Sequence, residues 1–262
     1  MSVVLINQEI VHYEVLGRGR PVIFLHSWVG SWRYWIPSLQ AASTNYRAYA
    51  LDLWGFGESA RSSHGYSLES QVDLVDQFLY QMGMGKVALV GHGLGAIVGL
   101  QFAALHPEFV DRILAISYPL KSEHIHERMR IASSLELASW LSNQRPELAA
   151  VMEDTAKIAP EVSSSYWQGL DDLRLQALWQ QCPSVCLMVQ GLEDPAVRAA
   201  DESSVVHMSE KIKYMCFSES GHFPMQDEEE KFHRLMAEFL ALPSGQSPRN
   251  LQVTESWRRR VR

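Results

Sequence analysis

Val90-Gly91-His92-Gly93-Leu94-Gly95 is the stretch that decides how this chain folds. Residues 86–90 before it (KVALV) are an apolar run of strand length, and residues 96–105 after it are apolar over helical length, closed by His106-Pro107. Proline disfavours helix at the residue before it, so the helix is expected to stop there. A buried strand therefore passes directly into a buried helix through alternate glycines. A turn that sharp presents its apex side chain at the top of a sheet. The apex residue, Gly93, has no side chain to present. Backbone in such a turn commonly carries about 1–3 kcal/mol of strain, and glycine adopts it without a side-chain clash.

Outward from this turn, strand-length apolar runs alternate with helical patterns, which predicts an α/β fold with a mostly parallel central sheet flanked by helices. Residues 3–5 and 11–15 read as an opening hairpin. Residues 22–25 form a short strand ending in His26-Ser27-Trp28-Val29-Gly30, and residues 46–51 form another ending at Asp52 and Gly55-Phe56-Gly57. Leu68, Val72, Val75 and Leu79 share one face of a helix over 68–80. Further strands are expected at 113–117, 185–190 and 214–217, with a last helix over 228–240. Residues 120–182 give no convincing strand and carry Trp140, Tyr166, Trp167 and Trp179 on helical patterns. The expected division is a core of residues 1–119 and 183–243, a helical cap of 120–182, and a polar, disordered tail of 244–262.

Composition narrows the function classes. With 47% apolar and 20% charged residues among 262, the chain can build a substantial core. A formal charge of −7 argues against a nucleic-acid partner, which needs clustered positive charge. The one basic cluster, Arg258, Arg259, Arg260 and Arg262, reads as a solvated terminus. Cys182, Cys186 and Cys216 fit reduced core residues better than a disulfide framework. No run reaches membrane-spanning length and none resembles a secretion signal, so a cytoplasmic protein is expected. His124 and His126 are expected to face solvent rather than hold a metal, because two ligands do not close a coordination shell. No cofactor is expected either, since Gly55-Phe56-Gly57 fits neither common phosphate-loop spacing. The partner expected is a small molecule; the oligomeric state is open.

Four segments fall at strand ends, where open α/β sheets bind ligands. They are His26-Ser27-Trp28, the turn at Gly93, Gly191-Leu192-Glu193-Asp194, and Ser220-Gly221-His222-Phe223-Pro224. With Asp52-Leu53-Trp54-Gly55-Phe56-Gly57-Glu58-Ser59 and the helical insertion, this order resembles the α/β-hydrolase fold family, in its capped esterase, C–C hydrolase and epoxide hydrolase branch, from about residue 10 to 240. The resemblance implies that Gly91–Gly95 is a nucleophile elbow with its serine replaced by Gly93. It implies that Asp194 orients His222, that His222 is the general base, and that the N–H groups of Trp28 and Leu94 form an oxyanion hole. Ser27 stands where the family usually has glycine, and with Trp140 and Trp167 it is a candidate for contact with substrate. His92 precedes the apex, and its expected role is structural.

Three readings stay open at this point. His222, supported by Asp194, could activate water held in the space a serine would fill, or take a proton directly from a neutral organic substrate such as an ester or related carbonyl compound. The chain could be a pseudoenzyme that binds a small apolar ligand. Gly93 could also be an engineered replacement in a serine hydrolase.

Overall fold

Eight strands make one sheet in the order β1-β2-β4-β3-β5-β6-β7-β8. They are β1 (Ser2–Ile6), β2 (Glu9–Gly17), β3 (Arg20–Leu25), β4 (Tyr46–Leu51), β5 (Val87–His92), β6 (Val110–Ile116), β7 (Val185–Gly191) and β8 (Ile212–Phe217). The computed structural model describes residues 2–61, 65–143, 145, 148–158, 162, 165 and 175–252. β1 and β2 are antiparallel, as are β2 and β4; every other neighbouring pair is parallel. The burial patterns explain the split. β5 and β7 are buried at every residue, as parallel strands covered on both faces must be. β1, at the edge, alternates between exposed and more sheltered positions. The sheet and its flanking helices are those of the α/β-hydrolase fold.

The described helices are α1 (Ile36–Ser43), α2 (Leu68–Gln81), α3 (Leu94–Leu105), α4 (Arg128–Ile131), α5 (Ser134–Ser142), α6 (Ala149–Thr155), α7 (Leu175–Gln180), α8 (Glu202–Val205), α9 (Pro224–Asp227) and α10 (Glu229–Ala241). α2 starts where the Ser67 side chain accepts the N–H of Ser70, and it buries the expected stripe of Leu68, Val72, Val75 and Leu79. α1 packs on α10, and α2 packs on α3. α3 is the deepest, with residues 94–100 all buried.

Its closeness to the sheet explains two of the glycines quoted above. A Cβ on Gly91 would lie 2.4 Å from the carbonyl oxygen of Gly95, and one on Gly95 would lie 2.3 Å from that of Leu25. Either contact would push α3 off the sheet. Spacing in sequence therefore sets spacing in space.

Between β6 and β7 the described residues hold a short 3-10 turn (Ser122–His124) and helices α4 to α7, with no strand among them. A capping box of Ser133 and Glu136 opens α5. The tail differs from expectation over residues 244–252. A 3-10 turn, Pro248–Asn250, packs beside β8, where Lys213 Nζ donates to the Arg249 carbonyl at 2.8 Å and Arg249 Nη2 donates to that of Met208 at 2.8 Å. Pro248 and Leu251 are buried there. Two apolar residues and two cations reaching backbone oxygens hold a segment whose composition is otherwise polar. The remainder of the tail, with the arginine cluster, lies outside the described residues. Cys182 and Cys186 are buried and free, whereas Cys216 is free but exposed on β8. No helix among the described residues is long and apolar enough to cross a membrane.

Candidate functional site

The carboxyl ends of β3, β5, β7 and β8 all open onto one edge of the sheet, and each leads directly into one of the four segments singled out in the sequence. At this edge His222 Nδ1 lies 3.0 Å from Asp194 Oδ2 and 3.1 Å from Oδ1. Both side chains are fully buried. The carboxylate is well provided for: Oδ1 accepts the N–H of Ala196 at 2.8 Å and of Val197 at 3.1 Å, and Oδ2 accepts Gln190 Nε2 at 3.0 Å. Burial alone would push the Asp194 carboxyl up. The attraction of His222 and these backbone donors outweighs burial and holds it below the ordinary aspartate value. An ionised Asp194 fixes the His222 proton on Nδ1, leaving Nε2 as the basic atom.

Nε2 faces Ser27 Oγ at 3.4 Å. Gly93 adopts φ 50 and ψ −110, where side chains are disfavoured. A Cβ built on it would stand 2.1 Å from Ser27 Oγ and 2.7 and 2.9 Å from two ring carbons of Trp28. The volume expected to hold a water is thus filled by the Ser27 hydroxyl and the Trp28 ring. That ring stacks on His222 with centroids 6.1 Å apart and planes 27° from parallel. Ser27 and His222 are 0% exposed and Trp28 is 5% exposed, so the site is closed.

A relay of hydrogen bonds fixes the backbone here. The Ser27 N–H donates to the Tyr34 hydroxyl at 2.7 Å, that hydroxyl meets His92 Nδ1 at 3.0 Å, and His92 Nε2 donates to the His222 carbonyl at 2.7 Å. Burial, with His222 adjacent, takes the His92 pKa well below its ordinary value, so the ring is neutral and Nδ1 accepts from Tyr34. His26 is also held neutral by burial. Its Nε2 accepts the Leu53 N–H at 3.0 Å, and its Nδ1 donates to the Ser27 carbonyl at 2.9 Å. Ser27 is therefore clamped at both its N–H and its carbonyl. His92 has the structural role expected of it.

The loop after β3 is gripped from two sides. Asp52 Oδ1 accepts the Trp32 N–H at 2.9 Å, while Oδ2 accepts Glu58 N–H at 3.0 Å and meets His12 Nδ1 at 2.8 Å. From the insertion, Thr155 Oγ1 accepts the Gly30 N–H at 2.8 Å, and Asp154 Oδ2 accepts the Ser31 hydroxyl. Asp227 joins the other flank, accepting the Gly221 N–H at 2.8 Å and pairing with Arg145.

Trp140 instead packs on Arg128, 5.0 Å from its guanidinium carbon, and on the His126 ring. Trp167 lies outside the described residues. His124, expected in solvent, is 4% exposed; its place in a 3-10 turn beside the bridge between Ile125 and Val197 was not visible in its spacing from His126. No cluster of three metal-ligand side chains occurs among the described residues. Tyr34, Asp154 and Thr155 gave no sequence signal, because each acts through one long-range contact rather than a motif.

A model of the alpha/beta hydrolase family matches residues 22–235 of this chain. "Putative carbamate hydrolase RutD" of Yersinia enterocolitica is 25% identical over 279 residues, covering 94% of this chain and 98% of that protein. Epoxide hydrolase 4 of Mus musculus is 32% identical over 133 residues, 49% of this chain but 37% of that protein, so the match spans well under half of the relative. Among solved structures, the enol-lactonase of Burkholderia xenovorans superimposes with a TM-score of 0.79 at 17% identity, over 92% of this chain and 100% of that one.

Proposed function

Because this chain belongs to the alpha/beta hydrolase family, we propose that it acts on a small neutral organic substrate, an ester or related carbonyl compound, through His222 and Asp194, with Gly93 standing at the elbow position where a nucleophile would be. The observation that carries the reading is the buried His222–Asp194 pair, whose carboxylate has every strong acceptor direction engaged. A histidine oriented in this way is a general base, worth about 10²–10⁴-fold in rate. Leu94 opens α3, so its N–H lies among the donors a helix leaves without an internal partner. With the N–H of Trp28 it forms the oxyanion hole, where one donor contributes about 10²–10³-fold.

A second reading, a ligand-binding module without turnover, is favoured by the Trp28 ring stacked over His222 in a closed site. The two separate on a panel of p-nitrophenyl esters, with a carbamate and an epoxide added because the relatives' names point there. Turnover by the intact chain that collapses in His222→Ala and Asp194→Asn supports the first reading. Turnover that His222→Ala leaves unchanged removes it, and no turnover together with a small molecule retained in native mass spectrometry supports the second.

A further inference from the structure

We infer that Ser27 carries the nucleophilic hydroxyl that the turn at Gly93 lacks, so that the reacting group has moved from the loop after β5 to the loop after β3. The inference rests on the reading of His222 as the base. Three independent observations converge on it. Ser27 Oγ occupies the volume into which a side chain at 93 would project, 2.1 Å from the position of that Cβ. Among the described residues its hydrogen-bond partner is His222 Nε2, the atom that Asp194 leaves basic. Its backbone is pinned at both polar groups, by Tyr34 and by His26, which is how a reacting hydroxyl is held to one geometry. A distance of 3.4 Å is long for a hydrogen bond but usual for a nucleophile and its base before substrate arrives. Nor can Ser27 in this position coexist with a serine at 93. The pair Ser27 and Gly93 thus places one hydroxyl at the site from an unusual origin.

The chemistry closes on an ester. Ser27 Oγ bonds to the carbonyl carbon as its proton passes to His222 Nε2. The carbonyl π pair moves onto oxygen, facing the N–H groups of Trp28 and Leu94. Collapse breaks the carbon–oxygen bond to the alcohol, which departs with the proton from His222 and leaves the acyl group on Ser27. Water then attacks that ester, giving a proton to His222. The acid leaves, and Ser27 recovers its proton. Ser27 and His222 are both fully buried, so their cover has to open before a substrate reaches them.

The test uses the full chain and diisopropyl fluorophosphate, with p-nitrophenyl acetate as substrate. Peptide mapping of the unsubstituted protein is expected to find the phosphoryl group on Ser27, and p-nitrophenolate release to show a burst. Ser27→Ala is expected to lose the adduct and at least 100-fold of turnover, Ser27→Cys to recover a burst, and His222→Ala to slow labelling at least 100-fold. Mapping needs no variant, so a poorly folded substitution cannot decide the outcome. Wild-type turnover in Ser27→Ala, with turnover lost in His222→Ala, overturns the inference and leaves the base reading standing. Wild-type turnover in both variants removes both. Turnover lost in Ser27→Ala without any adduct on Ser27 makes the residue a positioning group and also overturns the inference, as does an unsubstituted protein that is neither labelled nor active.

Discussion

Gly93→Ser is the substitution that would seem to rebuild an ordinary serine hydrolase, and the structure argues that alone it damages the protein. Two costs add. A side chain at φ 50 and ψ −110 stores strain of about 1–3 kcal/mol. The new Cβ also meets Ser27 Oγ at 2.1 Å and the Trp28 ring at 2.7 Å, and forcing extra atoms into a packed site costs about 1–3 kcal/mol. The total, about 2–6 kcal/mol, is a large part of the ~5–15 kcal/mol that holds a typical domain together. Ser27→Gly removes the closest of these contacts. Urea unfolding of the parent, both single variants and Ser27→Gly/Gly93→Ser is therefore expected to show the double variant more stable than the sum of the singles by about 1–3 kcal/mol. Ester turnover is expected to follow the same pattern, absent or weak in each single variant and recovered, with a burst, in the double. Additivity within about 0.5 kcal/mol, or a Gly93→Ser protein as stable as its parent, would refute the claim that the two positions compete for one volume.

Four further outcomes follow from the contacts around the site. Asp194 is held below its ordinary value in the folded state, so its ionisation stabilises the fold above the unfolded aspartate pKa, near pH 4. That stability is lost as pH falls from there through the depressed folded value. Urea midpoints measured from about pH 6 down to 3 should drop in the parent and flatten in Asp194→Asn. The same variant should lose turnover by roughly 10³-fold or more, because asparagine no longer selects the Nδ1–H tautomer. Tyr34→Phe removes the acceptor of the Ser27 N–H and the partner of His92 Nδ1, at an expected cost of about 1–3 kcal/mol in urea unfolding. An unchanged midpoint would mean that water replaces the hydroxyl. Thr155→Val strips the Gly30 N–H of its acceptor, and hydrogen exchange should show that amide, on the loop after β3, exchanging faster than in the parent.

The fold and half of the site were legible in the sequence because they rest on local patterns. Gly91 is fixed by the close return of the helix four residues on, and Asp194 and His222 each follow a strand that can be recognised on its own. The rest depends on contacts between distant segments. The separation between Ser27 and His222 is 195 residues, and no spacing rule announces which rotamer a serine will adopt there. The Trp28 ring stacks on His222, whereas as a sequence feature Trp28 read only as the source of a backbone N–H. Residues 244–252 read as disordered for the same reason: their order comes from the Lys213 ammonium on β8 and the Met208 carbonyl before it, not from their own composition.

The grip of α6 on the loop after β3 bears on how such a protein would change under selection. A lid that only covers a pocket lets preference for substrate vary while the reacting groups stay put. Here Thr155 and Asp154 of the insertion bond to Gly30 and Ser31, across 125 and 123 residues of chain, on the same loop as Ser27 and Trp28. With Ser27 as the proposed nucleophile, substitutions made in the insertion to admit a new substrate would shift its hydroxyl, so KM and kcat should move together across a library of insertion variants. On that reading, selectivity and rate would share two hydrogen bonds and would have to evolve as one property.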